Sequence, residues 1–561
     1  MREIIAKLLK KALVDLKIEL KAEEIENSLE TPPSSELGDY SFPCFSLKEK
    51  LKDNPSKIAL EIRNHISKSE TIDYVQSNGP YVNFFLNKKK IAKDLIKEIS
   101  AKKSKFGSQK LSKAERTMVE FPSPNTNKPL HLGHLRNMSI GESISRILEF
   151  NGEKVIRANL NNDRGIHICK SMLAYKKYGK NKKPDKKTDH FVGDFYVKFN
   201  EALKKDKKLE EEAYEVLRKW ETGDKETIEL WKKMNKWVLD GFKETYKKFK
   251  VNFDKQYYES EIYTKGKDIV LEGLKKKIFR KNTNGAVVFD LPENEKVLLR
   301  PDGTSVYMTQ DLYLAILKLK KFNLSKSIYV VGNEQNYHFD VLFSILDRLG
   351  YSKSKFMHLS YGMVNLPEGK MKSREGTIVD ADDLIGEVQN LVKKELNSRY
   401  KLPKKEIESR SLKIALSAIK YFLLKIDAKK DMIFNPKESI SFDGDTGPYI
   451  LYSYARASSI LKKAKKRKRF SIEKQLEKAE FELIKKLLQF KDIVTNAYNN
   501  MNPSVIANYS YQLSQLFNEF YHSCPVINSD NESFRLALVS SFRQVLKNSL
   551  YLLGIEIMEE M

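Results

Sequence analysis

The chain has little of what builds redox frameworks and none of the long apolar runs that cross membranes. Its three cysteines, Cys44, Cys169 and Cys524, lie far apart with no CxxC pair. That spacing excludes a clustered zinc-thiolate site and a disulfide framework, and fits a reducing, cytoplasmic setting without zinc. No run of about 18 apolar residues occurs, so no membrane partner is expected. The start, MREIIAKLLKKALVDLKIELKAEE, is amphipathic, contains acidic residues and lacks a small-residue cleavage site. It reads as the first helix of the fold rather than as a signal peptide.

Charge is abundant instead. Lys and Arg number 101 against 75 Asp and Glu, a formal net charge of +26. Such an excess favours a polyanionic partner through counterion release, although lysine-rich decoration of solvated faces gives the same total. The runs KKYGKNKKPDKK (176–187) and KKAKKRKR (462–469) fit either a solvated tail or a phosphate-tracking patch. At 561 residues the chain exceeds one hydrophobic core, and about three domains are expected.

Three blocks are legible. Residues 1–112 hold a helix, a turn-rich segment, a second helix PSKIALEIRNHI and the strand-like YVNFFLN, ending in the polar linker SAKKSKFGSQKLSKAE. Residues 113–385 alternate strand, glycine-containing loop and helix: TMVEF, HLRNMSIGESISRILEFNG, KVIRANL, SIYVVG and FDVLFSILDRLG. That order specifies a doubly wound parallel sheet, interrupted by a charged helical insertion over about 175–255. Residues 386–561 show apolar residues at i, i+3, i+4 almost throughout and read as a helical bundle.

Two constellations carry chemistry. In PNTNKPLHLGH (124–134), a strand end meets a helix start, where ligands of open α/β sheets bind. His131 and His134 share one face near the positive end of the helix, suited to phosphate oxygens. Gly133 permits close approach and Lys128 adds a cation. In EGKMKSREGTIVDADDLI (368–385), Lys370, Met371, Lys372 and Ser373 lie in a glycine-flanked basic loop able to close over a triphosphate. Alone, an HxxH is an incidental pair and the loop a solvated one; the strand–loop–helix context decides against that for the histidines.

Together these segments resemble the HIGH and KMSKS signatures of class I aminoacyl-tRNA synthetases. HLGH matches closely. KMKSR departs, with Lys372 or Ser373 where the usual motif has its second lysine. Arginyl members often depart here, and VEFPSPNTNKP, RPDGTSVYMTQDL and YVVGNEQNYHF are similar to segments of the arginyl branch. A cysteinyl enzyme would carry a zinc-thiolate set; a class I lysyl enzyme would lack NGPYVNFF.

The resemblance implies ATP-dependent attachment of L-arginine to tRNA(Arg) through an arginyl-adenylate, with Mg2+ accompanying ATP. It implies a Rossmann-like core, an N-terminal α/β tRNA-binding domain and a C-terminal all-α anticodon-binding bundle. Catalytic roles fall on His131, His134, Lys128, Lys370 and Lys372. ATP contacts fall on Gly133, Gly332, Glu334, Gly362, Met363, Val364, Met371 and Ser373. Tyr307 and Asp311, one helical turn apart, match guanidinium-binding positions; Asn125, Gln335, Glu120 and Glu259 complete the arginine set. Asn78, Tyr81 and Asn83 match positions that read the tRNA D-loop. Tyr449, Tyr452, Arg456, Tyr521 and Met561 match positions around the anticodon, where aromatics stack on splayed bases. A monomer is expected.

Overall fold

Three strand-like segments, TMVEF, KVIRANL and SIYVVG, become three neighbouring strands of a five-stranded sheet. The computed structural model describes residues 1–109, 114–365, 367, 379–464 and 470–561. They form two units: Met1–Lys103 with Lys463–Leu488 and Glu519–Ser541, and Ser104–Lys462 with Gln489–Asn518 and Phe542–Met561. The block over 386–561 is helical as expected, and its residues are shared between these units.

The first unit contains the antiparallel sheet β1 (Tyr40–Pro43), β2 (Ile72–Asn78) and β3 (Tyr81–Leu86), ordered β1-β3-β2. Asn78 pairs with Tyr81 across a tight turn whose Gly79 has φ +53°, a conformation that favours glycine. Val82, Phe84 and Leu86 face the core with Ile5, Leu9, Leu13, Ile58 and Ile62. Asn54 caps the helix Pro55–His65 by accepting from the Ser56 N–H, and Asn87 caps Lys88–Lys102 by accepting from the Lys90 N–H. That second helix enters the segment expected to be a linker, because Ile91, Leu95, Ile96 and Ile99 give it a buried stripe.

In the second unit, β4 (Arg116–Glu120), β5 (Lys154–Asn161), β6 (Lys255–Tyr258), β10 (Lys326–Gly332) and β11 (Phe356–Tyr361) form a parallel sheet, ordered β11-β10-β4-β5-β6. Between β6 and β10 lies a small antiparallel sheet, β7 (Arg280–Lys281), β8 (Val287–Asp290) and β9 (Glu295–Leu299), which the sequence reading did not separate. The insertion between β5 and β6 is helical: Ile166–Tyr178, Thr188–Lys205, Lys208–Glu221 and Lys225–Phe249. The lysine run 176–187 is folded into it and ion-paired, with Lys176 at 2.7 Å from Glu226 and Lys182 at 2.7 Å from Asp185. In the second run, residues 465–469 lie outside the described residues.

Two buried cations brace the sheet. Lys318, on the helix Tyr307–Phe322, is fully buried and ion-paired with Glu120 at the end of β4. Its ammonium lies 4.9 Å from the Tyr329 ring and 5.4 Å from that of Tyr257. Arg136, also fully buried, donates to the carbonyls of Gly362, Met363, Ala428 and Lys430 at 2.6–3.1 Å. Breaking a buried pair by removing one partner strands the other charge, so Lys318→Met should lower folding stability by about 3 kcal/mol. Urea unfolding of the purified protein reads this; adding Glu120→Gln should recover much of the loss, and an unmoved midpoint in the single variant would show the pair to be dispensable.

Candidate active site

The carboxyl ends of β4, β5, β6 and β10 gather most of the expected site residues. Beyond β4, the loop bearing Asn125 is stitched to the loop after β5: Thr126 N–H donates to Asn162 O at 3.1 Å and Asn162 N–H to Pro124 O at 3.0 Å. Asn125 is exposed there. The helix Leu132–Phe150 follows, with His131 as its N-cap and no acidic residue in its first turn. The His131 ring covers Gly133, where an added Cβ would meet it at 3.0 Å, so only glycine fits without displacing the ring. This accounts for the glycine of HLGH through packing of the motif's own histidine.

The two histidine rings lie 3.9 Å apart, centroid to centroid. His134 Nδ1 accepts from the His131 backbone N–H at 3.1 Å. A neutral His134 therefore carries its proton on Nε2, ready to donate. His131 Nδ1 is sealed from solvent and has no partner. Burial, reinforced by the nearby Lys128 ammonium, pushes the His131 ring down to about 3. Burial first, then the charges of His131 and Lys128, drive His134 well below the usual histidine range. Burial likewise pulls Lys128 down from the usual ammonium range. The pair is thus two neutral donors at a positive helix end.

Lys370, Met371, Lys372 and Ser373 lie outside the described residues. The chain resumes against the histidine loop: Leu132 N–H donates to Val379 O at 3.1 Å, and Ala381 N–H to Leu130 O at 2.9 Å. Lys128, His131, His190 and Asp380 line a cavity of about 180 Å³. Burial pushes the Asp380 carboxyl up to about 6. Among the described residues one cluster has metal-ligand composition, Asp189, His190 and Asp382. Lys187 already bonds both carboxylates at 2.8 Å, so an ammonium fills the place a metal ion would take.

Tyr307 and Asp311 open the helix Tyr307–Phe322, one turn apart as expected. Tyr307 is exposed, and Asp311 lies 2.7 Å from His338 Nε2. Glu259 starts the short helix after β6 and is buried, with Oε1 lacking a hydrogen-bond partner. Burial, with the charges of Asp163 and Asp311, pushes its carboxyl up to about 7 against the opposing pull of Arg164. Gly332 ends β10, and Glu334 and Gln335 follow in the turn Asn333–Gln335, both exposed.

Five of the expected contact residues have partners within the fold. Glu120 is held by Lys318, so its carboxylate acts from within an ion pair. The Gly362 N–H donates to Ala428 O at 2.9 Å and the Met363 N–H to Asp431 Oδ1 at 2.6 Å, while Arg136 holds both carbonyls. Their amides are therefore used internally rather than left for adenine; Val364 is buried in the short pairing with Met432. Asn83 is 4% exposed, and its amide oxygen accepts from Ser41 Oγ at 2.5 Å inside the sheet. Asn78 and Tyr81 stay at the rim, Tyr81 edge-on to Phe45 at 5.5 Å.

On the helix Gly447–Lys463, Tyr449, Tyr452 and Arg456 do share a face. Arg456 lies over the Tyr452 ring at 4.8 Å and donates to Asn518 Oδ1 at 2.5 Å, and Asn518 Nδ2 donates to the Tyr449 hydroxyl at 2.8 Å. Tyr521 belongs to the first unit and Met561, half-buried, to the second.

Comparison with known proteins fits this geometry. Residues 95–436 match the family model "tRNA synthetases class I (R), catalytic domain". The chain belongs to the arginyl-tRNA synthetase family. Residues 2–86 match the arginyl-tRNA synthetase N-terminal domain and 450–561 the DALR anticodon-binding domain. An arginine–tRNA ligase of Treponema denticola is 46% identical over 560 residues, covering 95% of each chain. One from Borrelia hermsii is 44% identical over 100% of this chain and 99% of its own. The structure of the Thermus thermophilus arginyl-tRNA synthetase superposes with a TM-score of 0.83 at 26% identity, covering 100% of both chains.

Lys318, His338 and Arg164 were missed by sequence reasoning. Lys318 sits mid-helix with no motif around it. Arg164 had a signal, because NNDRG places a charged pair and a glycine just beyond a strand of the parallel sheet. The depressed histidines generate a testable expectation. Both rings should stay neutral at pH 6, with the His134 proton on Nε2, as read by 15N-edited NMR. The unfolded chain binds protons below about 6.5 that the folded rings refuse, so stability should fall as pH drops through that value. Protonated rings at pH 6 would refute the assignment.

Proposed function

We propose that the chain ligates L-arginine to tRNA(Arg) through an arginyl-adenylate, releasing AMP and diphosphate. The observation that carries this reading is the meeting, at one edge of one parallel sheet, of two neutral histidine donors with the carboxylates of Glu259 and Asp311. The first pair suits phosphate oxygens; the second suits a cationic side chain.

In the first step the arginine carboxylate attacks the α-phosphorus of ATP in line and diphosphate leaves. His134 Nε2–H, His131 and Lys128 donate to the phosphate oxygens as charge builds, with Gly133 leaving room for the His131 ring beside them. Neutral donors held at the helix start keep their dipoles oriented without the solvation demand of buried cations. Lys370, Lys372, Met371 and Ser373 close over the departing diphosphate, and Gly332 and Glu334 meet the ribose. Mg2+ enters with ATP as part of that substrate, since Lys187 fills the described acidic cluster. Asp311, Tyr307 and Glu259 take the guanidinium, while Asn125 and Gln335 orient the amino and carboxylate groups. Glu120, locked by Lys318, shapes the floor. In the second step a terminal ribose hydroxyl of the tRNA attacks the adenylate carbonyl and AMP leaves; no side-chain nucleophile is required.

Asn78 and Tyr81 receive the D-loop, with Asn83 holding the sheet that presents them. Tyr449, Tyr452, Arg456, Tyr521 and Met561 receive the anticodon region. Domains of 1–112, 113–385 and 386–561 acting as a monomer in the cytoplasm complete the proposal. Among the described residues no helix is long and apolar enough to cross a membrane.

Purified protein with ATP, tRNA and each labelled amino acid in turn should form acid-precipitable product with arginine alone; charging of lysine or cysteine would overturn the pocket reading. Asp311→Ala should abolish arginine use with the fold intact. Lys128→Ala should cut adenylate formation by about tenfold or more, as expected for losing one oriented donor to a developing charge. Tyr449→Ala should raise the KM for tRNA and leave that for ATP unchanged.

A further inference from the structure

An internal guanidinium stands beside the carboxylates assigned to the substrate. Arg164 follows β5, and its Nη1 lies 3.8 Å from Glu259 Oε1. Its other arm reaches Glu221, on the insertion helix Lys208–Glu221, at 2.7 Å. Its plane rests 4.2 Å from the Tyr263 ring and 5.4 Å from that of Trp220. Side chains of Arg164 and Glu259 are each only 10% exposed. Glu259 Oε1 and Arg164 Nε are both buried without hydrogen-bond partners. One face of Glu259 is thus steadied by a fixed cation, and its remaining acceptor capacity is unused.

We infer that Arg164 is a specificity-determining positioning residue, which holds Glu259 in place as the charged acceptor for the guanidinium of the incoming amino acid. This rests on the assignment of Glu259 and Asp311 to the arginine side chain. The groups facing Glu259 are Arg164, Asp163, Asp311 and the Tyr307 hydroxyl. Asp163 is spent on Ser260, accepting from its N–H at 2.8 Å and its hydroxyl at 2.7 Å. Asp311 is engaged by His338 at 2.7 Å. Both carboxylates push the Glu259 carboxyl upward, and Arg164 is the one facing group that pulls it down. Repulsion between Arg164 and the substrate is offset by Glu221, which neutralises the far side of the fork. Arg suits this place better than Lys because its plane stacks on two rings while its arms reach two carboxylates.

Without Arg164, Glu259 ionises only at higher pH. The sign is therefore specific: arginine binding should weaken at neutral pH and recover as pH rises. In Arg164→Gln, the KM for arginine at pH 7 should rise about fivefold, the change expected when a midpoint near 7 moves up by about one pH unit. By about pH 8.5 the gap from the unaltered protein should nearly close, to about 1.3-fold, with the KM for ATP unchanged. Arg164→Lys keeps the charge and should keep the midpoint. An unchanged profile in Arg164→Gln, or a loss equal at every pH, would overturn the inference. Asp311→Ala, measured alongside, separates the cases: if it still uses arginine normally, the pocket assignment itself fails, whereas its loss of arginine use beside an unmoved Arg164→Gln profile rejects Arg164 alone.

Discussion

The parallel register of β11-β10-β4-β5-β6 is the constraint on which the catalytic unit depends. Parallel strands must all be left at the same edge, since each return runs over a face of the sheet. The loop after β4 therefore delivers the histidines, the loop after β5 delivers Asp163 and Arg164, the end of β6 delivers Glu259, and the turn after β10 delivers Gln335. Residues far apart in sequence share one edge because the backbone hydrogen-bond pattern leaves them no other. This is also why the long insertion is tolerated: it departs from the end of β5 and returns at the start of β6, so the register is untouched.

Electrostatics divides that edge into two regions of opposite demand. Around the helix start at His131, burial keeps both rings uncharged, so their donors act as fixed dipoles. Around Glu259, burial works on an acid, and the carboxylates Asp163 and Asp311 add to its effect. The same physical cause, loss of solvent, removes positive charge from one region and makes negative charge costly in the other. A cation brought beside Glu259 would relieve that cost, which is the basis of the proposed arginine pocket.

Two buried cations act as braces. Lys318 fixes the carboxylate at the end of β4, and Arg136 gathers four carbonyls from two separate stretches of chain. Both side chains are fully buried. Each satisfies polar atoms that the fold would otherwise bury unpaired, and so sets where the functional loops begin.

The linear order alone determined a good deal. Alternating strand, glycine loop and helix specified the parallel sheet, since only a doubly wound arrangement buries such faces. HLGH and the spacing of Tyr307 and Asp311 were readable because helix periodicity is local. Local patterns do not say which polar side chains are already spent. Asn83 looked like a base reader until Ser41, more than forty residues earlier, occupied its amide. Gly362 and Met363 looked open until Arg136 and Asp431 took their backbone groups. Glu120 looked like a substrate ligand until Lys318, from a helix nearly two hundred residues later, paired with it. Tertiary structure decided these, because hydrogen-bond partners and desolvation depend on which distant segments pack together. For PNTNKPLHLGH the division is the same: its sequence marked a phosphate site, and only packing around it made both histidines neutral.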